Sequence, residues 1–390
     1  MTVTAPSGFR AAGVAAGIKT GINAGGALDL AMVVNDGPQR YAAGVFTTNK
    51  IQAAPVLWSR QVLTTGRLRA VVLNSGGANA CTGPEGFQTT HATAERAAEA
   101  LECGAAEVAV CSTGLIGTQL PRHAVLAGVA AAAAKLSDTG QAATEAATAV
   151  LTTDTRPKQA AYRDEAGWRI GGFAKGAGMV APAMATMLAV LSTDAAVDPA
   201  ELDRALRAAS ARTFERLDID GATSTNDTVL LLASGASGER VGGAELTAAL
   251  TAVCTQLVDQ LQADAEGATK HVTISVRGAA SERDAVAVAR GVARDSLVKT
   301  AFFGSDPNWG RIAMAVGNAD ATIDPHGLEI AMNGVTLCRD GAVAVDRHAV
   351  DLSGRDILVE VDLHVGSGAA QVRTTDLSLA YVEENSTYSS

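Results

Sequence analysis

Residues 175–188 of this 390-residue chain read KGAGMVAPAMATML. The glycines of this segment permit positive φ angles, and Pro182 then excludes a helix and fixes a bend. The apolar run at 187–191 has the length and composition of a buried strand. The segment therefore predicts a rigid loop that presents Thr186 at the first position of a strand.

A threonine placed in this way is a candidate nucleophile. If the bond between Ala185 and Thr186 were cut, the new α-amine of Thr186 could act as its general base. The reference pKa of an α-amine, about 7.7–8.0, suits that role near neutral pH. The six histidines are scattered and form no GxSxG, HExxH or Cys-His arrangement. The α-amine therefore supplies the base that no histidine motif offers.

The composition is that of a globular enzyme. Hydrophobic residues make up 47% of the chain and charged residues 18%. A net charge of −10 argues against nucleic acid or an anionic membrane as a partner. Five cysteines without CxxC spacing fit a reducing cytoplasm and argue against a zinc site or a disulfide framework. No signal peptide pattern and no apolar run of membrane-spanning length is expected.

Strands alternate with helices along the chain, which predicts an α/β fold. Clear buried strands are predicted at 70–74, 108–112 and 229–233, and helices at 88–102, 121–136, 140–150, 199–214, 244–263 and 281–299. The Thr152–Thr155 cluster is typical of a polar helix exit, and the tail from Asn385 is short and polar. No repeat, long linker or strong domain boundary is evident.

Two strands run into loops of small residues. The strand at 70–74 continues into SGGANA at 75–80, and the strand at 108–112 ends in Thr113 and Gly114. A threonine hydroxyl beside a freely approachable glycine N–H suits an oxyanion hole. Taken alone, each junction is more often a plain structural turn than part of a site, and glycine patterns without full phosphate-loop spacing are weak signals.

Residues 175–188 and six further segments occur in a fixed order along the chain. These are VFTTN at 45–49, NSGGAN at 74–79, STGLIG at 112–117, EGATK at 266–270, SDPNWGR at 305–311 and YVEEN at 381–385. Together they resemble the ornithine acetyltransferase (glutamate N-acetyltransferase) family of arginine biosynthesis. One segment alone would be weak evidence, whereas seven in order are specific.

The resemblance implies a precursor that cleaves itself between Ala185 and Thr186. Residues 1–185 would form an α chain and residues 186–390 a β chain, which stay associated as one intertwined catalytic unit, usually α2β2. The implied fold is an α/β sandwich of the DmpA and ornithine acetyltransferase type, superficially similar to N-terminal-nucleophile hydrolases.

The resemblance also implies roles for individual residues. Thr186 would carry the acetyl group, and Thr113 with Gly114 would form the oxyanion hole. The positions that match substrate-contacting residues of the family are Thr152, Lys175, Thr186, Glu266, Asn385 and Ser390. By charge, Lys175 suits a carboxylate and Glu266 an ammonium group. Which substrate group each one meets stays open.

The implied reaction moves acetyl from N2-acetyl-L-ornithine to L-glutamate by a ping-pong route through acetyl-threonine, without a metal or redox cofactor. Family members differ in whether they also accept acetyl-CoA, which is therefore a candidate co-substrate. Two rivals remain. One is a self-processing amidohydrolase or aminopeptidase of related fold that delivers the acyl group to water. The other is a non-enzymatic binding protein, which would remain one uncut chain.

Overall fold

The computed structural model describes residues 2–19, 25–179 and 187–387. The chain divides into two compact units, a division that the sequence patterns do not reveal. The first unit comprises Met1–Glu215 and Ala222–Leu261, and the second comprises Arg216–Gly221 and Gln262–Ser389. The unit boundaries do not coincide with the predicted cleavage point, because strands from both sides of that point lie in the first unit.

The first unit is built from two sheets and their covering helices. Its strands are β1 (Phe9–Val14), β2 (Leu30–Asn35), β3 (Tyr41–Phe46), β4 (Ala70–Asn74), β5 (Val108–Ser112), β6 (Lys158–Arg163), β7 (Arg169–Lys175), β8 (Leu188–Thr193) and β9 (Thr228–Ala233). Its helices are α1 (Ala54–Val62), α2 (Gly83–Leu101), α3 (Arg122–Ala134), α4 (Gly140–Ala149), α5 (Pro199–Arg212) and α6 (Gly243–Ala263).

The two sheets of the first unit share a hydrophobic core. One sheet has the strand order β1-β2-β4-β5 and the other the order β3-β9-β8-β7-β6. Side chains such as Val71 and Leu73 from the first sheet cluster with Val190 and Leu232 from the second. Helices α2 and α3 cover the opposite face of the four-stranded sheet. This layering confirms the α/β sandwich expected from the sequence.

The second unit is a single mixed sheet with helices. Its strands are β10 (His271–Ala279), β11 (Glu329–Met332), β12 (Val335–Arg339), β13 (Ala342–Val343), β14 (Asp356–Asp362) and β15 (Gly368–Thr375), in the order β13-β12-β11-β14-β10-β15. Its helices are α7 (Glu282–Arg294), α8 (Ser296–Phe303), α9 (Trp309–Gly317) and α10 (Leu379–Thr387). Strand β10 alternates buried and half-buried residues over most of its length, as a one-sided sheet requires.

The structure corrects two of the predicted elements. The single helix expected at 281–299 is two helices, because the Asp295 side chain accepts the Val298 N–H at 3.0 Å and starts α8 anew. The polar tail from Asn385 continues helix α10, and Ser378, just before that helix, accepts the N–H of Tyr381 on its Oγ at 3.0 Å. Asn385 therefore lies on a helix.

Candidate active site

The predicted site residues fall into two groups, one in each unit, and each group is described by itself. Thr113, Gly114, Thr152 and Lys175 lie in the first unit, and Glu266 and Asn385 lie in the second. Ala185, Thr186 and Ser390 lie outside the described residues. The roles proposed for the Ala185–Thr186 bond and for the Thr186 nucleophile are therefore argued from the described residues that adjoin them.

The Lys175 side chain contacts the other two predicted side chains of the first unit, Thr113 and Thr152. Lys175 is the last residue of β7 and is 1% exposed. Its Nζ donates hydrogen bonds to Thr152 Oγ1 at 2.8 Å and to Thr113 Oγ1 at 3.3 Å. Thr113 directly follows β5 and Thr152 follows α4. Residues from three distant parts of the sequence thus meet around one buried ammonium group.

The backbone around Thr113 is fixed on both sides. Its N–H donates to Asn74 O at 3.0 Å, and its carbonyl accepts the Gly77 N–H at 3.0 Å. Because the Thr113 N–H is already engaged, it is not available to an oxyanion. The Thr113 hydroxyl accepts from Lys175, which leaves its own proton free to point elsewhere.

Gly114 has to be glycine at this position. Its φ is +127°, and a Cβ there would lie 2.6 Å from the Gly77 backbone nitrogen. Within the described residues, its N–H has no acceptor. The Thr113 hydroxyl and the Gly114 N–H are therefore two neighbouring donors of the kind that an oxyanion hole uses.

Asp154 organises this group, and sequence analysis assigns it no function. Its buried carboxylate forms one ion pair with Lys158 and a second with Lys175. The Lys175 Nζ lies 3.7 Å from Asp154 Oδ2. The carboxylate also accepts the N–H of Gly176 at 2.7 Å and that of Thr152 at 3.3 Å. Burial by itself would raise the pKa of Asp154, but the two ammonium groups and these hydrogen bonds hold it below its usual value.

The start of β8 is the described segment that follows the predicted nucleophile. Met187 N–H donates to Asp227 Oδ1 at 3.0 Å, and Met187 O accepts the Thr228 N–H at 3.1 Å. In the sheet, Leu188 pairs with Lys175 on the antiparallel side and with Thr228 on the parallel side. The predicted buried strand is confirmed, and it runs beside the strand that carries Lys175.

The second group is a pair formed by a loop and the last helix. Asn385 Nδ2 donates to Glu266 Oε2 at 2.9 Å and to Tyr381 O at 3.0 Å. The loop approaches the helix closely at Gly267, where φ is +58° and a Cβ would lie 2.2 Å from the Tyr381 nitrogen. Ser378 Oγ also donates to Gly267 O at 2.5 Å. Two residues 119 positions apart are thereby brought into contact.

The described residues contain neither a cluster suited to a metal ion nor a helix suited to a membrane span. No cluster of three or more His, Cys, Asp or Glu side chains there could hold a metal ion. None of the helices in the described ranges is both long enough and apolar enough to span a membrane.

Comparison with known proteins decides the family. A model of the ArgJ family matches residues 10–390. The chain belongs to the ArgJ family. Its relatives include the arginine biosynthesis bifunctional proteins ArgJ of Mycobacterium bovis, 62% identical over the whole chain and 96% of that protein, and of Thermobifida fusca, 56% identical over the whole of both. The family predicted from the seven ordered segments is confirmed.

Solved structures of ArgJ family members are similar over part of the chain. An ornithine acetyltransferase from Mycobacterium tuberculosis, solved in complex with ornithine, is 63% identical over 46% of this chain and 94% of its own, with a TM-score of 0.45. A Bacillus halodurans arginine biosynthesis bifunctional protein is 33% identical over 50% of this chain and 97% of its own, with a TM-score of 0.48.

Proposed function

We propose that this enzyme transfers an acetyl group from N2-acetyl-L-ornithine to L-glutamate in arginine biosynthesis. The observation that carries the proposal is the ArgJ family match over nearly the whole chain, together with the buried contact of Lys175 with Thr113 and Thr152. We assign these three residues to the oxyanion hole and to substrate contact, as the resemblance of the sequence segments implies. We also propose that the enzyme acts in the cytoplasm, because its five free cysteines are compatible with reducing conditions.

Self-cleavage between Ala185 and Thr186 would create the nucleophile and its base together. The α chain would be residues 1–185 and the β chain residues 186–390. Strands β3, β6 and β7 come from the first fragment, and β8 and β9 from the second. They share one sheet in the order β3-β9-β8-β7-β6. This mixed sheet supports fragments that stay associated after cleavage, and we propose an α2β2 assembly.

Each half of the proposed reaction balances. The Thr186 hydroxyl attacks the acetyl carbonyl carbon of N-acetylornithine while the α-amine takes its proton. The Thr113 hydroxyl and Gly114 N–H stabilise the developing oxyanion. Collapse breaks the amide C–N bond, the proton passes to the departing N2 nitrogen, and ornithine leaves. The neutral amine of glutamate then attacks the acetyl-Thr186 ester, and the C–O bond to Thr186 breaks. The Thr186 α-amine passes the proton lost by the glutamate amine to Thr186 Oγ, which gives N-acetylglutamate and restores the hydroxyl.

Charge suggests how the substrates are held. By charge, Lys175 suits a carboxylate of a substrate and Glu266 suits an ammonium group. Asn385, which donates to Glu266, would fix the orientation of that carboxylate. We assign Ser390 to the same substrate-contacting set from its position in the family motif.

An acetyl-trapping experiment tests the mechanism. Given N-acetylornithine alone, the protein is expected to gain the mass of one acetyl group on the peptide that begins at Thr186, and added glutamate should remove it. Ornithine release that does not depend on glutamate would favour the rival hydrolase. A label on a cysteine or lysine would remove Thr186 from the transfer step.

The relatives are named bifunctional, which favours a second acetyl donor. We propose that acetyl-CoA also acylates Thr186, so that the enzyme makes N-acetylglutamate without N-acetylornithine. Supplying glutamate with acetyl-CoA as the single donor tests this second activity. Product formation that persists in Thr186→Ala would show that acetyl-CoA reacts elsewhere.

A further inference from the structure

Asn226 and Asp227 precede β9 and touch the two backbone segments on which the proposed chemistry depends. Both side chains are buried, at 3% and 0% exposure. The loop that carries them is itself held, because Thr47 N–H donates to Asp227 O at 2.9 Å and Thr47 Oγ1 donates to Ser224 O at 2.6 Å. The pair is therefore a rigid element, and neither residue belongs to the predicted site.

Asn226 reaches the segment that leads into the oxyanion hole. Its Nδ2 donates to Ser112 O at 2.8 Å and to Ala78 O at 2.6 Å. Thr225 Oγ1 donates to Asn226 Oδ1 at 2.5 Å, which fixes the orientation of the amide. Ser112 is the residue before Thr113, so this one amide ties the predicted oxyanion donors to the loop before β9.

Asp227 reaches the segment that follows the nucleophile. Its Oδ1 accepts the Met187 N–H at 3.0 Å, and Met187 is covalently bonded to Thr186. Its Oδ2 is buried and has no hydrogen-bond partner among the described residues. A buried carboxylate with one unpartnered oxygen is costly, whereas the neutral acid keeps Oδ1 as an acceptor and offers a proton on Oδ2.

The charges around Asp227 agree with a neutral acid. Burial raises the pKa of Asp227 well above its usual value, and the Met187 N–H, the Lys175 ammonium and the nearby polar groups of Ser224 oppose that rise without cancelling it. The nearby ammonium group already has Asp154 as its carboxylate partner.

We propose that Asn226 and Asp227 form a positioning pair that sets the distance between the oxyanion donors and the nucleophile. Asn226 holds the last residue of β5, next to Thr113, and Asp227 holds the residue after Thr186, from adjacent positions on one rigid loop. The pair touches no reacting atom in this assignment. The inference rests on the proposed function and adds residues that the family resemblance does not supply.

The test compares Asp227→Asn with Asp227→Ala. Asparagine reproduces the acceptor and the donor of a neutral acid, so kcat for acetyl transfer is expected to stay within about 3-fold of the wild type. Alanine frees the Met187 N–H, and kcat is expected to fall on the order of 10²-fold with KM changed less than about 3-fold. Asn226→Ala is expected to lower kcat by about 10-fold or more, also with little change in KM.

Asp194 supplies the matched control, since it lies at the other end of β8. It is buried and accepts the N–H groups of Ser7 at 2.8 Å and Arg169 at 2.7 Å. Asp194→Ala is expected to lower the melting temperature and leave kcat unchanged. An equal loss of kcat in Asp194→Ala and Asp227→Ala would overturn the proposal, because both would then act through stability.

A second measurement does not depend on turnover. Hydrogen exchange of the Met187 amide, followed in protein labelled with ¹⁵N-methionine, should be slow in wild type and in Asp227→Asn and faster in Asp227→Ala. Wild-type kcat in Asp227→Ala, or an Asp227→Asn as inactive as Asp227→Ala, would overturn the inference. If the wild type transferred no acetyl group to glutamate, the proposed function would fail. The inference would still be decided by comparing the Met187 exchange rate and the extent of self-cleavage among the wild type, Asp227→Asn and Asp227→Ala.

Discussion

The two groups of predicted site residues are held in different ways. In the first unit, Lys175 meets Thr113 and Thr152 in a buried network around the Asp154 carboxylate. In the second unit, Asn385 is exposed and binds Glu266 through one hydrogen bond. A buried charge that loses its partner costs about 3–5 kcal/mol, whereas one ordinary hydrogen bond contributes about 1 kcal/mol. The first group should therefore control the rate, and the second should adjust affinity.

Removing the Lys175 charge should have the largest effect. Lys175→Met keeps the length of the side chain but removes one of the two ion pairs of Asp154 and leaves the one with Lys158. Acetyl transfer is expected to fall by about 10³-fold or more, and the free energy of unfolding by about 3 kcal/mol. Steady-state kinetics and urea unfolding measure the two effects.

Lys270 provides the control for Lys175, because it is a buried lysine of the second unit outside the predicted site. Its Nζ donates to Leu352 O at 2.7 Å and Gly354 O at 2.8 Å. Lys270→Met should lower stability and leave kcat near the wild-type value. If both variants lost activity in proportion to stability, the special role of Lys175 would be refuted.

Removing one oxyanion donor should have the next largest effect. Thr113→Ala is expected to lower kcat by about 10²-fold, the usual cost of deleting one such donor. Stability should fall by only about 1 kcal/mol, because Lys175 keeps Thr152 and Asp154 as partners. Thr113→Ser should restore most of the rate, and an unchanged kcat in the alanine variant would remove Thr113 from the mechanism.

The second group should respond in KM. Asn385→Ala removes the hydrogen bond to Glu266, and KM for N-acetylornithine is expected to rise by about 5-fold with kcat changed by less than 3-fold, since a hydrogen bond contributes about 1 kcal/mol and about 1.4 kcal/mol is one factor of ten. Glu383→Gln, on the exposed face of the same helix, is the control and should change neither constant. A fall in kcat with KM unchanged would place Asn385 with the rate-controlling group.

Some features of the fold and of the two groups could be predicted from the sequence and others could not. The physical reason differs from one residue to another. The strand after Thr186 could be predicted because an uninterrupted apolar run is a local signal. Asp154 was missed because a polar cluster after a helix is normally a solvated exit, and only the fold brings two lysines to it. Helix α10 was missed because its nine residues carry no clear apolar stripe.

Contacts between distant residues were the least predictable feature. Local patterns indicate neither the Glu266–Asn385 hydrogen bond nor the reach of Asn226 to Ser112, which spans 114 positions. The family resemblance supplied the first pair as substrate-contacting positions without showing that they touch. It gave no indication of the second contact, because the loop before β9 is not among the seven ordered segments.

The smallest predicted effect concerns Lys299, a buried lysine of the second unit whose pKa is lowered into the range of ordinary buffers. Lys299 is 5% exposed and donates to Thr374 Oγ1 at 3.1 Å and to Thr375 O. Burial lowers its pKa from 10.5 to about 8, against the opposing charges of Asp218, Asp220 and Asp376. Between these two pKa values the unfolded chain binds more protons than the folded protein, so stability should rise with pH.

The free energy of unfolding should rise by about 1 kcal/mol between about pH 8 and about pH 9, since a full proton difference between the two states contributes about 1.4 kcal/mol per pH unit. Urea unfolding of wild type and of Lys299→Met at both pH values isolates the contribution, because methionine does not titrate. The free energy of unfolding of the wild type, minus that of Lys299→Met, should become more positive as pH rises. Parallel stability curves would show that the pKa of Lys299 is not lowered, because a lysine with an ordinary or raised pKa stays protonated in both states over this pH range.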